Sequence, residues 1–455
     1  MPFPVNSTLL RLTFLLQALF CCLCASLCAA APEGADMSYL SNVEVKVGID
    51  LSRGGAIVYL ARTGEDNLIN NFDLGRQVQL SFFSGPVPFA VGDNTPSKHW
   101  EHIGWNPIQA GDDFKHASKV LEHRNDGQSI YVKTLPLQWP LNNVPGDCTF
   151  ESWLQLEGPV AKVRARLNNA RSDTTQYPAR LQELPAVYAN APYHRVASYT
   201  GEQPFSNAPV SVIPKPEGKH PWSFWQGTEG WAALLDDRDH GLGLLTPGRT
   251  FFTGGFAGKP GPNDTHATST GYLAGQGQEI LDHNIVYEFH YELVAGTLAE
   301  IRSRAVSNQA SSTPALPAWT FEKDRQGWLY MNAQDSGWPI TGALKVSLDQ
   351  SDPQLLSPFS FWRAEEAPVV VIECAFKTAH KKAVIYWQRH GERAPGAKDF
   401  IEFPIQGDGE FHLYEVDLSS APTYKGGIIR LRFDPVPSGG AGDTVIVKSV
   451  KLMKR

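Results

Sequence analysis

Cysteine is scarce in this chain once its first 31 residues are set aside. Of six cysteines, Cys21, Cys22, Cys24 and Cys28 lie in that opening segment, and only Cys148 and Cys374 follow it. A disulfide-stapled scaffold is therefore excluded, and the fold must hold itself by burying apolar surface. Cys148 and Cys374 fall in different predicted domains, so both read as buried free thiols. Basic runs are missing too. The formal net charge is −7 at pH 7, with no stripe of Lys and Arg, which excludes nucleic acid as a partner. No apolar run after the opening segment is long enough to span a bilayer, so no membrane association is expected once that segment is removed.

Several enzyme signatures are absent as well. The chain has no Gly-x-Ser-x-Gly elbow, no P-loop and no dinucleotide fingerprint after a strand. His99 and His102 are three apart but lack the helical His-Glu-x-x-His order of a zinc site. Residues 236–241 are acidic but lack calcium-loop spacing and read as a hairpin turn. No metal and no cofactor is expected.

What is present begins with a targeting signal. Arg11 is the only charge in the opening segment, followed by Leu12-Thr13-Phe14-Leu15-Leu16 and further apolar residues to Leu27. Ala29-Ala30-Ala31 then precedes Pro32. This is the pattern of a signal peptide spanning residues 1–31, so the mature chain is expected outside the cell. Asn263-Asp264-Thr265 is a sequon in a Gly- and Pro-rich loop, which marks Asn263 for glycosylation in a eukaryotic secretory route.

Alternation with a period of two runs through the rest. Val163, Ala165 and Leu167 alternate with Arg164 and Arg166. Ile285, Tyr287, Phe289, Tyr291 and Leu293 share one face of their segment, and Glu288, His290 and Glu292 the other. Only residues 298–306 read as helix. The polar, Pro-bearing stretch 307–317 reads as a linker. The fold class predicted is all-β: a large antiparallel β-sandwich over 32–306 and a second β-sandwich or jelly roll over 318–455.

Candidate chemistry gathers in a few places. All twelve tryptophans lie beyond the signal segment. Several stand beside polar residues in loop-like stretches, among them Trp105, Trp139, Trp222 and Trp225. Aromatic faces of this kind cover the C–H face of a pyranose while amides and charged groups fix its hydroxyls. Residues 99–113 have no sheet periodicity and are predicted to form a long surface loop, offering His102, Trp105, Asn106, Gln109 and Asp112. Asp73 and Arg76 stand just before a strand, where Arg76 is suited to hold a carboxylate or hydroxyl. Glu183 precedes Leu184-Pro185, and partial burial there would raise its pKa and suit it to proton donation.

Two stretches carry a family resemblance. Trp319-Thr320-Phe321, Gln326-Gly327-Trp328, residues 352–358 and residues 407–418 follow the order of jelly-roll modules that accompany carbohydrate-active domains. Residues 54–57 and 67–76 resemble the galactose-mutarotase-like super-sandwich, which serves sugar epimerases, glycoside hydrolases and polysaccharide lyases. The resemblance implies a polysaccharide or other glycan as partner. A glycoside hydrolase with paired carboxyl groups is the leading expectation, with Glu183 and Asp112 as the pair and Asp73 in reserve. A lyase on a uronate-containing glycan would draw on Arg76, Asn106, His102, His194 and Tyr188. A non-catalytic glycan-binding protein is the third expectation.

Overall fold

The alternation seen in the sequence becomes a register of buried faces. Strands Val160–Asn169 and Val286–Thr297 pair antiparallel, with Val163 opposite Tyr291, Ala165 opposite Phe289 and Leu167 opposite Tyr287. That face turns into the core. On the other face Arg166 meets Glu288 at 2.9 Å. A one-residue slip would invert both faces, so the pattern fixes the register.

The computed structural model describes residues 36–216, 218, 221–311 and 316–455. The expected signal peptide lies outside the described residues. Strands dominate and the sheets are antiparallel, so the all-β sandwich class is what the chain adopts. One sheet runs in the order Met37–Ser41, Val45–Asp50, Ala56–Arg62, Val78–Ser81, Arg180–Ala189, Thr270–Glu279, Phe251–Ala257, Trp222–Gln226. A nine-stranded sheet faces it, from Ser211–Val212 at one edge to Lys119–Asn125 at the other. Leu60, Phe82, Phe150, Leu184, Phe252 and Phe289 fill the space between them. Burying each such side chain contributes about 1.5–3 kcal/mol before the entropy of ordering is subtracted.

Two further sheets, six strands each, are built from residues 318–453. They enclose a separate core that includes Phe321, Trp328, Phe376, Trp387 and Phe433. The two cores belong to one compact unit, Ser38–Arg455. A buried ionic cluster joins them. Arg325 meets Asp282 at 2.5 Å and Asp335 at 2.5 Å, and Gln176 donates to Asp335 at 2.7 Å. Cys148 and Cys374 are both buried and free.

Two expectations are corrected. The helix does not end at residue 306; it spans Leu298–Ser311 and takes in the start of the expected linker. It opens with a reciprocal cap in which Thr297 Oγ1 accepts from Glu300 N at 3.3 Å and the Glu300 carboxylate accepts from Thr297 N at 2.7 Å. Arg302 to Glu229, in the turn before Trp231–Leu235, and Arg304 to Glu292, in the sheet, then tie it down, and these ionic anchors leave little apolar periodicity to read. Nor are residues 99–113 a surface loop throughout. From Trp105 to Asp112 they run inside, where Pro107–Ile108 pairs with Val78–Ser81 and Leu137–Gln138.

Candidate functional site

The outward face of the first sheet carries a row of polar and aromatic side chains. On Arg180–Ala189, Leu184, Val187 and Ala189 point to the core. An irregularity between Glu183 and Ala186 keeps Glu183, Ala186 and Tyr188 together on the opposite face. Tyr188 pairs with Tyr272 and Glu183 with Gln276 on the neighbouring strand, and Glu183 lies opposite Ser81 on the other side. Partners in register point to the same side of a sheet, so Ser81, Glu183, Tyr188, Tyr272 and Gln276 share one face.

Aromatic rings close over this row. Tyr188 and Tyr272 lie 4.9 Å apart, and Trp222 lies 4.8 Å from Tyr272 on its far side. Trp222 pairs with Gly255, and a Cβ there would stand 2.0 Å from the Pro221 carbonyl oxygen. Only glycine lets the Trp222 strand come this close.

Glu183 is the ionisable centre of the face. Tyr272 donates its hydroxyl to the Glu183 carboxylate. Protein surrounds Glu183, yet part of its surface stays open. Burial pushes its pKa up, and the bonds from Tyr272 and Ser81 oppose that rise without cancelling it. Burial also raises both tyrosines, helped by the negative charge of Glu183. Asp73 adds to the rise of Tyr188 and Arg76 opposes it, which places the Asp73–Arg76 loop within electrostatic reach of the same site.

That loop forms one rim. Arg76 lies 3.3 Å from Asp73, donates to Thr268 O at 2.7 Å and covers the Phe72 ring at 4.6 Å. Asp73 Oδ1 accepts from Gly75 N at 2.9 Å. Trp139 packs against Gly75, with its ring edge-on to Trp100 at 5.8 Å. Arg76, Asp73 and Trp139 thus stand together beside the row.

Other expected site residues lie elsewhere. Asp112 is sealed from solvent and its carboxylate accepts from the backbone N–H groups of Phe114, His116 and Asn143, at 2.8–2.9 Å, and bonds the His116 ring at 2.9 Å. It braces a loop and has no capacity left for a substrate. Trp105 is buried in the core beneath Arg171. Asn106 is buried and donates to Phe82 O at 2.9 Å and Ser81 Oγ at 3.3 Å, so it supports the site from below. Gln109 is buried between Leu80 N and Gly54 O. Trp225 faces inward, stacked on Phe252 at 6.1 Å. His102 is exposed, and its carbonyl accepts from Arg180 at 3.3 Å. His194 faces Asp237 at 3.4 Å. Asn263 is exposed, and its side chain donates to Asn67 O at 3.1 Å. Sequence reading missed Tyr272, Ser81 and Gln276. Among the described residues, no group of His, Cys, Asp and Glu is arranged to hold a metal ion.

No protein-family model matches the chain, and no curated protein matches it. Solved structures similar to it include a galactose mutarotase-like protein from Lactobacillus casei, 14% identical, covering 57% of this chain and 99% of its own, with a TM-score of 0.35. An alpha-galactosidase from Lactobacillus brevis is 7% identical over 57% of this chain and 39% of its own, with a TM-score of 0.33. Another from Geobacillus stearothermophilus is 9% identical over 59% and 40%, with a TM-score of 0.34.

Proposed function

We propose that this chain is a secreted carbohydrate-active enzyme that cleaves a polysaccharide, with Glu183 as the proton-transferring group. One observation carries the reading: a carboxyl group with a raised pKa, held by a tyrosine hydroxyl, lies among three aromatic rings on an outward sheet face. Rings of this kind seat a pyranose, and a carboxyl whose pKa is raised keeps its proton until the leaving oxygen needs it.

Hydrolysis needs a second carboxyl group. Asp73 fills that role in this proposal, since Asp112 is consumed by its own loop. A lyase is the second reading. It is favoured by Arg76, which shares the rim with Asp73 and reaches Tyr188 electrostatically. In that chemistry Arg76 would neutralise a uronate carboxylate, Glu183 would take the proton beside it, and Tyr188, kept protonated by burial, would give its proton to the leaving oxygen.

The experiment incubates the chain from Pro32 onward with neutral and acidic polysaccharides. New reducing ends and the absorbance of unsaturated uronates are followed together. Reducing ends without absorbance, lost in Glu183→Gln and Asp73→Asn, support the hydrolase. Absorbance lost in Arg76→Ala supports the lyase. Retention on glycan columns with no product from any substrate would replace both with a binding protein.

A further inference from the structure

A cavity of about 330 Å³ opens where the first sheet meets the C-terminal sandwich. Its walls include Gln276 and Gln278 from the first sheet and Trp319, Phe359 and Arg430 from the second sandwich. Gln276 is the register partner of Glu183, and Gln278 follows it on the same face. The cavity therefore continues the row of side chains that holds the candidate catalytic group.

Arg430 is the unusual member. It is 8% exposed, and its Nε donates to Ser357 O at 2.7 Å. Its Nη2 is buried and has no protein partner among the described residues. Other buried arginines behave differently. Arg171 stands 3.4 Å from Asp173, and Arg325 meets two aspartates. Arg432, two residues along the same strand, is answered by Asp434 and Asp352. Arg430 meets no carboxylate among the described residues. Burial alone pulls its pKa down to about 10, with no carboxylate opposing the shift.

Burying a guanidinium without a counter-ion costs stability, and such a charge persists where something else answers it. Around it the cavity offers further matched features. The Gln278 Oε1 acceptor is buried and also lacks a protein partner among the described residues. The guanidinium lies 4.5 Å over the Phe359 ring, which in turn packs 4.6 Å from Phe251. Arg249, also in the wall, is already neutralised by Glu279 at 3.4 Å and bonded to Tyr287, so Arg430 is the lining cation left to act.

We infer that this cavity is a subsite for an acidic sugar residue, in which Arg430 binds the carboxylate of a uronate and Gln278 accepts from one of its hydroxyls. A fork of N–H donors matches a carboxylate, and the Phe359 ring under the guanidinium holds that fork in place. The volume is in the range of small-ligand sites. The inference rests on the proposed function in that the same glycan would run on to Glu183, and it narrows the substrate to a uronate-containing polymer. It also answers the chain's net negative charge, because one local cation within the cavity can receive an anion that the overall surface repels.

The test is calorimetric titration of the Glu183→Gln chain, which separates binding from turnover. The probes are oligogalacturonate and oligomannuronate, each compared with its methyl ester. At least one acid form is expected to bind more tightly than its ester by about ten- to a hundredfold, the worth of a charge-assisted hydrogen bond. Adding Arg430→Gln should abolish that preference, and Arg430→Lys should restore part of it. Arg430→Lys keeps the cation, so partial return of the acid preference in Arg430→Lys, with both variants still melting cooperatively, separates a binding role from a structural one. Equal binding of acid and ester by both probes, absence of binding, or a preference that survives Arg430→Gln would overturn the inference. Turnover of neutral glycans by the wild type would then leave the catalytic reading standing. Conversely, acid-selective binding that depends on Arg430 supports the subsite even where the wild type cleaves nothing.

Discussion

The Tyr272 hydroxyl reaches the Glu183 carboxylate diagonally across two strands, because Tyr272 pairs with Tyr188 while Glu183 pairs with Gln276. This bond favours the ionised carboxylate, against burial that favours the neutral acid. Tyr272→Phe should therefore raise the Glu183 pKa further. If Glu183 donates the proton, the alkaline limb of the pH–rate profile should move up by about one pH unit, the order expected from one hydrogen bond to a charged group. The profile measured on the best substrate checks this, and an unmoved limb would assign the limb to another group.

Glu183→Gln keeps the shape and removes the proton. Activity should fall by about 10²–10⁴-fold, the usual worth of a general acid or base. Stability gives an independent reading. The folded-state pKa is raised above the unfolded one, so wild-type Glu183 contributes stability below the ordinary carboxylate pKa and loses it as pH rises through the folded value. The wild type should thus lose stability relative to Glu183→Gln as pH rises from about 4 through the folded value, by about 1.4 kcal/mol for every pH unit that separates the folded pKa from the unfolded one. Parallel melting curves across that window would mean that Glu183 is not desolvated in the folded chain.

Gly255→Ala tests the ring stack without touching a charged group. The added Cβ would collide with the Pro221 carbonyl and crowd the Trp222 ring. The edge strand Trp222–Gln226 must shift, at a cost of about 1–3 kcal/mol. Substrate affinity should fall with it, because Trp222 leaves Tyr272. Trp222→Ala should lower affinity by about tenfold through lost stacking, while leaving the melting temperature closer to wild type than Gly255→Ala does.

Where these features could be read from the sequence depends on how plainly each strand alternates. Residues 285–293 alternate apolar and polar in a clean run, and their buried face is the one the sequence marks. Thr270–Glu279 carries the site but hides it. Its core-facing positions include Gly271, Gly275 and Gly277, where a Cβ would strike Leu234, Thr246 and Leu184. Close approach from neighbouring residues forces glycine there, so the apolar half of the pattern is missing and the strand resembles a loop. Glu183 was legible because Leu184-Pro185 beside it announces burial. Asp112 misled for a related reason: an acid in a Gly-rich stretch looks the same whether it meets a substrate or caps its own backbone. Arg430 gave no sign at all, since the absence of a counter-ion is a property of the assembled core.

Asp112→Ala separates those two roles. It would strand three backbone N–H groups that the carboxylate now satisfies. Stability should fall by about 2–4 kcal/mol. The kcat of the folded fraction should stay at the wild-type value. A kcat lost at unchanged stability would return Asp112 to the catalytic pair.

The Asp282–Arg325–Asp335 cluster predicts how the two sandwiches unfold. Arg325 is buried with both aspartates, and Gln176 bonds each of them. Burial works to raise the Asp335 pKa, but the Arg325 contact overrides it and holds the carboxyl below its usual range. The resulting stability is fully present above the unfolded value, about pH 4, and is lost as pH falls through the folded one. Arg325→Ala would leave two carboxylates buried without their cation, and should cost about 3–5 kcal/mol. Because one aspartate belongs to each sandwich, that loss should appear as a splitting of one thermal transition into two, the junction failing before either core. The triple variant Arg325→Met, Asp282→Asn, Asp335→Asn should recover most of the loss, since no charge from the cluster then remains buried. A single unshifted transition in Arg325→Ala would mean that apolar contacts alone couple the cores and that the ionic cluster only sets their alignment.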